Sequence, residues 1–223
     1  MRLVHGSAVS PFVRKACIFL GEKGMAFERR ELDPLDKTPR LLELNPLGRV
    51  PILEEEDGHR IADSSVICDY LERVQPEPRL YPEAPRERAR VLWLEEYGDT
   101  KLVEVTVRVF WMHVIIPVRS GEPADPAEIQ KYVEEQFPPV FDYFESQAPD
   151  GDGIVGDRFG IADISLASPM RLLALAGHPF DTTRWPRFAA YVARVLDRPS
   201  ACALFPSEVA ATEVFRTTGS APK

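Results

Sequence analysis

The chain has 223 residues, enough for one large domain or two modest ones whose cores need no disulfide staples. A hydrophobic share of 44% and a charged share of 28% are ordinary for a soluble globular protein and exclude a disordered one. A formal net charge of −8 argues against nucleic acid or an anionic membrane surface as the main partner, so any site for an anion has to be local.

Residues 3–5 read as a strand and residues 11–22 as a helix stopped by Lys23-Gly24. Ser10-Pro11-Phe12-Val13 opens that helix. Serine is a favoured N-cap, and proline fits the first turn, where its missing N–H has no intrahelical partner. At such an end, free backbone N–H groups and the helix dipole favour an anion by up to about 1 kcal/mol. A redox C-x-x-C would put thiols where Ser10 and Val13 stand, so this segment cannot open and close an internal disulfide. Two readings remain at this point: Ser10 is a cap only, or it also holds a thiolate belonging to another molecule.

Residues 26–32 are expected to form a second strand, although Arg29-Arg30-Glu31 puts charge on both faces. Residues 41–44, closed by Asn45-Pro46-Leu47-Gly48, read as a short helix. Residues 50–61 read as a hairpin turning at Asp57-Gly58. Residues 64–74 are helical, with Val66, Ile67, Tyr70 and Leu71 on one face. The proline-rich run that follows forbids a continuing helix and stiffens a linker. Beyond it the pattern is helical over 86–114, 126–147, 161–176 and 185–196, with a shorter piece near Ala201. The expected organisation is an α/β domain over 1–76, a linker over 77–85, an all-helical domain over 86–216 and a loose tail over 217–223.

Cys17, Cys68 and Cys202 are odd in number and far apart, as in a reduced cytosolic protein, and are expected to be buried packing. His5, His59, His113 and His178 show no metal-ligand spacing. The N-terminus has no long apolar region of a secretory signal, and the most apolar stretch, 103–118, is interrupted by charge and proline and is too short to span a bilayer. A cytoplasmic location is the expectation.

The Ser-Pro-Phe helix start at 10–12, Gly-Arg-Val-Pro at 48–51, Asp-Ser-Ser at 63–65 and the helical stretch after them resemble, in order and spacing, the cytosolic glutathione transferases, of the bacterial type with serine at the catalytic position. The resemblance covers nearly the whole chain. It implies a thioredoxin-like N-terminal domain that binds glutathione as co-substrate and a helical C-terminal domain that supplies a pocket for a small hydrophobic electrophile. It also implies a homodimer and a detoxifying conjugation without a metal. Ser10 matches the position whose hydroxyl faces the glutathione sulfur, with Ser7 as the competing hydroxyl. Val50-Pro51 matches the family's cis-proline, where Val50 offers its backbone to the cysteinyl part, and Arg49 stands where relatives carry a group for the glycyl carboxylate. Asp63 and Ser64 match the pair that holds the γ-glutamyl end. Phe12 either walls the site or packs in the core.

Tyr97, Phe110, Trp111 and His113 are the candidates for the electrophile pocket, although a stripe at helical spacing is more often a core face. Gly156 to Asp163 resembles the family's folding motif, with Gly160 in place of the hydroxyl cap at an expected cost of tenths of a kcal/mol. On the same resemblance, disulfide or peroxide reduction with glutathione and a non-catalytic interaction module stand as alternatives to conjugation.

Overall fold

Val4 and His5 are both buried on a central strand that is paired on both sides, and the N-terminal fold is built outward from it. In the computed structural model, which describes residues 1–35 and 37–221, four strands form one sheet in the order β2-β1-β3-β4. They are β1 (Arg2–His5), β2 (Phe27–Arg30), β3 (Ile52–Glu54) and β4 (Arg60–Ala62). β1 runs parallel to β2 and antiparallel to β3, which pairs antiparallel with β4 across the Asp57-Gly58 turn. The charges that blurred β2 in the sequence belong to an edge strand, where Glu28 and Arg30 stand exposed.

Helix α1 (Pro11–Glu22) carries the chain between the two parallel strands, α2 (Pro39–Leu44) precedes the hairpin, and α3 (Ser64–Val74) follows it. This is the thioredoxin-like arrangement that the resemblance implied. α1 is buried from Val13 to Leu20, charged residues included. Beyond its end, Lys23 has a buried ammonium that reaches the carbonyls of Gln75 and Pro78 at 2.8 and 2.7 Å and Glu72 at 2.6 Å. The proline-rich linker is thereby tied back to the start of the fold.

The chain divides into two units at Arg79/Leu80, and the residues from Pro199 onward belong to the first unit. The expected helical domain over 86–216 therefore loses its last part. That part consists of α10 (Pro199–Cys202) and α11 (Phe205–Thr218), a helix the sequence pattern missed. Arg14 on α1 holds α11 through Glu208, Nε to Oε1 at 2.5 Å, with both side chains essentially without solvent. The expected loose tail is also overturned as far as the described residues go. Thr217 and Thr218 close α11, and the Ala221 N–H donates to Asp33 at 2.8 Å; residues 222–223 lie outside the described residues.

The second unit is helical: α4 (Pro85–Tyr97), α5 (Val103–Phe110), α6 (Ile116–Ser120), α7 (Pro126–Gln147), α8 (Ile161–Ala176) and α9 (Pro186–Leu196). The expected helix over 86–114 is in fact a longer run, α4 to α6, widened by π turns at Gly98–Leu102 and Trp111–Ile115. The second widening precedes Pro117, whose ring in a regular helix presses on the carbonyl of His113. α8 is buried almost all round and packs against α4, α5 and α9.

Its start is fixed by Asp163, which accepts from the Gly160 and Ile154 amides at 2.8 and 2.9 Å and from the Tyr191 hydroxyl at 2.5 Å. Burial pushes the Asp163 carboxyl above its ordinary value, against the pull of these bonds. Gly160 is not a weak substitute for a hydroxyl cap. A Cβ there meets the Leu80 carbonyl oxygen at 2.5 Å, the same oxygen that accepts the Ile161 N–H. Gly160→Ala is expected to destabilise the protein by about 1–3 kcal/mol, the cost of overpacking against an immovable backbone. Urea denaturation measures it, and a neutral or stabilising result contradicts the close approach.

Candidate functional site

Ser10 is the N-cap of α1, extended at φ −68° and ψ 124°, and its Oγ accepts from the Val13 N–H at 3.4 Å. Accepting one long bond leaves the hydroxyl proton free to donate. Ser10 is half-buried, whereas Ser7 is buried and its Oγ has no hydrogen-bond partner among the described residues. Of the two hydroxyls, Ser10 is the one open to a ligand at the positive end of the helix. Phe12, in the first turn, is half-buried rather than sealed in the core.

Val50-Pro51 is a cis peptide, as the resemblance implied. Gly6 brings this loop to α1. Its φ is +155°, and a Cβ there would stand 2.4 Å from Val13 Cγ2 and 3.0 Å from Val50 Cβ, so only glycine lets the three segments meet. Among the described residues, no hydrogen bond engages the backbone N–H or C=O of Val50. Arg49 is exposed, and among the described residues no ion pair engages its guanidinium; its carbonyl accepts from Asn45 Nδ2 at 2.9 Å.

Asp63 caps α3, its Oδ1 accepting from the Ser65 and Val66 amides at 2.9 and 3.3 Å. Its φ of 78° is rare for a residue with a side chain, a strain of about 1–3 kcal/mol that the cap bonds offset. This turn leaves the Ser64 N–H and hydroxyl without hydrogen bonds among the described residues, at a second helix N-terminus. Lys15 of α1 donates to Ser65 Oγ at 2.9 Å and so ties this helix start to α1. Ser10, Val50 and Ser64 are thus carried by segments that Gly6 and Lys15 join within one unit. The sequence reading did not single out either joining residue.

In the helical unit, the four expected pocket residues have different surroundings. Tyr97 stacks on Tyr143 and meets Phe144 edge-on. Phe110 is buried in the core, and Trp111 lies under the Arg119 guanidinium. Of the four, His113 alone lines the cleft of about 390 Å³ formed with Met112, Pro117, Ile129 and neighbouring residues. Its Nε2 is 3.2 Å from His178 Nδ1.

Burial holds the His178 ring below the ordinary value of 6.5, and the charge of His113 adds to the effect. Burial also lowers His5, although Glu54 opposes it. The folded state favours both neutral rings, so their contribution is present above 6.5 and is lost as pH falls through the depressed folded values. The melting midpoint is expected to fall between about pH 7 and pH 5, and His178→Asn to shallow that fall. Identical slopes for the two proteins in melts across that range contradict this.

The cysteines divide. Cys17 and Cys68 are buried, and burial pushes the Cys17 thiol up to about 12, whereas Cys202 is exposed, against the expectation of packing. Among the described residues, no group of His, Cys, Asp or Glu is arranged to hold a metal ion, and no helix is long and apolar enough to cross a membrane.

The chain matches the family models "Glutathione S-transferase, N-terminal domain" over residues 9–74 and "Glutathione S-transferase, C-terminal domain" over residues 86–194. It is 41% identical over 99 residues to the "Uncharacterized GST-like protein YibF" of Escherichia coli, covering 44% of this chain and 48% of that protein. It is 34% identical over 135 residues to mouse "Glutathione S-transferase omega-1", covering 60% and 52%. The chain thus spans about half the length of these two relatives. A crystal structure of a glutathione S-transferase from Rhodospirillum rubrum F11 superposes with a TM-score of 0.81 at 28% identity, over 92% of this chain and 91% of that one.

Proposed function

This chain belongs to the glutathione S-transferase family, whose members bind glutathione, and from that premise we propose that it binds glutathione as the thiolate and transfers it to a hydrophobic electrophile. The observation that carries the reading is the start of α1: an accessible hydroxyl with a proton to donate, at a helix N-terminus that Gly6 packs against the Val50 loop. The sulfur lies against Ser10, whose hydroxyl donates to it. The cysteinyl backbone pairs with Val50 as a short strand. The Ser64 N–H and hydroxyl take the γ-glutamyl carboxylate, and the free oxygen of Asp63 faces the ammonium. Arg49 meets the glycyl carboxylate, and Phe12 and Pro51 wall the groove.

The geometry supports carbon–sulfur bond formation over a relay through a protein thiol. No cysteine stands at the helix start, and the Cys17 thiol is buried and held protonated. Bound glutathione attacks the electrophilic carbon through its sulfur lone pair, and the leaving group departs with the bonding electrons. Orienting the two reactants contributes alongside thiolate formation. The cleft beside His113 is the candidate place in the helical unit for an apolar molecule. A homodimer in the cytoplasm with a detoxifying role completes the reading, and light scattering reads its oligomeric state.

Calorimetry with glutathione, followed by turnover with an aryl halide and with a small disulfide at fixed pH, tests it. Saturable binding with turnover of the halide supports the reading. Turnover of the disulfide alone replaces conjugation by reduction, and no binding at millimolar glutathione leaves an interaction module.

A further inference from the structure

We infer that Arg29 and Glu31, on and just beyond β2, are positioning residues that clamp the loop carrying Ser10; the inference rests on the glutathione reading above. The loop from Gly6 to Ser10 has little regular structure of its own: Ser10 N–H donates to Ser7 C=O at 3.0 Å, and Gly6 N–H donates to Arg30 C=O at 2.9 Å. Arg29 adds the restraint that the backbone cannot. Its Nη1 donates to the Gly6 carbonyl at 3.0 Å and to Glu31 Oε2 at 2.5 Å, and the same Glu31 oxygen accepts the Ala8 N–H at 3.4 Å.

One guanidinium and one carboxylate therefore grip the loop at both Gly6 and Ala8, on either side of the buried Ser7. Both side chains are largely withdrawn from water, with 20% and 16% of their surface exposed, so this is not a solvated surface pair. Each also needs the other. A carboxylate held alone beside the loop opposes a thiolate there, and Arg29 neutralises it while the loop is fixed.

The consequence is chemical rather than structural. A hydrogen bond from Ser10 to a sulfur anion depends on where the hydroxyl sits, and the loop sets that position through the Ser10 N–H. Loosening the loop weakens the bond in the ionised state and leaves the neutral thiol nearly unaffected, so the pH at which bound glutathione ionises rises. Contacts at Val50, Asp63 and Ser64 are untouched, so affinity for the tripeptide changes little.

Arg29→Met and Arg29→Lys are compared with the wild type by calorimetry with glutathione, by the ultraviolet absorbance of the bound thiolate as a function of pH, and by thermal melts. Arg29→Met is expected to raise the ionisation midpoint by roughly one pH unit, which is about tenfold less thiolate on the acid side. Lysine keeps the charge, but its shorter side chain ends before the Nη1 position from which Arg29 reaches both Gly6 and Glu31, so Arg29→Lys is expected to fall between the two. It also serves where the methionine variant does not fold. Wild-type binding and ionisation with unshifted midpoints in both variants overturns the clamp alone. A lysine variant that matches the wild type while the methionine variant shifts assigns the effect to charge and overturns positioning. A wild type that binds no glutathione overturns the functional reading and the clamp with it.

Discussion

Glu208→Ala is expected to destabilise the protein by about 3–5 kcal/mol, the usual cost of breaking a buried ion pair by removing one partner. The Arg14 and Glu208 side chains are 0% and 1% exposed, and their contact joins α1 to α11 across 194 positions of sequence. Alanine leaves a guanidinium in the interior without its carboxylate, and water reaches it only if α11 loosens. Glu208→Gln keeps an acceptor of the same shape and is expected to cost less. Replacing both partners with apolar residues, Arg14→Met with Glu208→Leu, is expected to recover much of the loss, because neither charge then has to be buried. Urea denaturation of the four proteins makes the comparison. A loss below about 1 kcal/mol for Glu208→Ala, the range of an exposed pair, contradicts the burial of the pair.

The same pair shows why part of the fold was hidden in the sequence. α11 buries Glu208, Ala211, Thr212 and Phe215, which fall at i, i+3, i+4 and i+7. That is the spacing of a helix with one buried face, but two of its four members are polar, so a search for apolar periodicity passes over it. The four-stranded sheet, α3 and the helices α7, α8 and α9 were legible because their buried faces are apolar or their ends carry ordinary start signals. Gly160 illustrates another limit. As a letter it is a tolerated cap, slightly worse than a hydroxyl residue, and only the path of the backbone at Leu80 shows that nothing larger fits.

The candidate site divides in the same way. Ser10-Pro11, Val50-Pro51 and Asp63-Ser64 are local signals, each readable as the start of an element. What brings their segments together is not local: a missing Cβ at Gly6, a lysine from α1 reaching Ser65, and Arg29 turned inward on an edge strand. For the aromatic residues of the α4 to α6 run, helical spacing gives the direction of a side chain but not its neighbours, so pocket and core both stayed open. The π turns also rotate the face partway along the run.

Ser10→Ala is expected to lower kcat/KM for conjugation near neutral pH by roughly ten- to a hundredfold, the loss of one charge-assisted hydrogen bond of about 1.5–3 kcal/mol. Its effect on the fold is separable. The cap bond to the Val13 N–H is long, at 3.4 Å, so the stability cost belongs at the low end of about 0.5–2 kcal/mol for a lost cap. Glutathione affinity is expected to change little, because on the proposed reading Arg49, Val50 and Ser64 hold the peptide's carboxylates and amides.

The pH dependence carries the decisive sign. A hydroxyl that donates to the sulfur anion lowers the thiol's ionisation point, so its removal moves the acid limb of the rate profile to higher pH, with the two proteins converging where the thiol is ionised in both. Each unit of displacement corresponds to about 1.4 kcal/mol withdrawn from the thiolate. The dipole of α1 remains in the variant and limits the displacement to the share that the hydroxyl supplies. Steady-state rates measured across pH with a saturating electrophile read this directly. An acid limb that stays in place while the rate falls uniformly assigns Ser10 to orienting the sulfur rather than to ionising it, and an unchanged rate removes Ser10 from the chemistry.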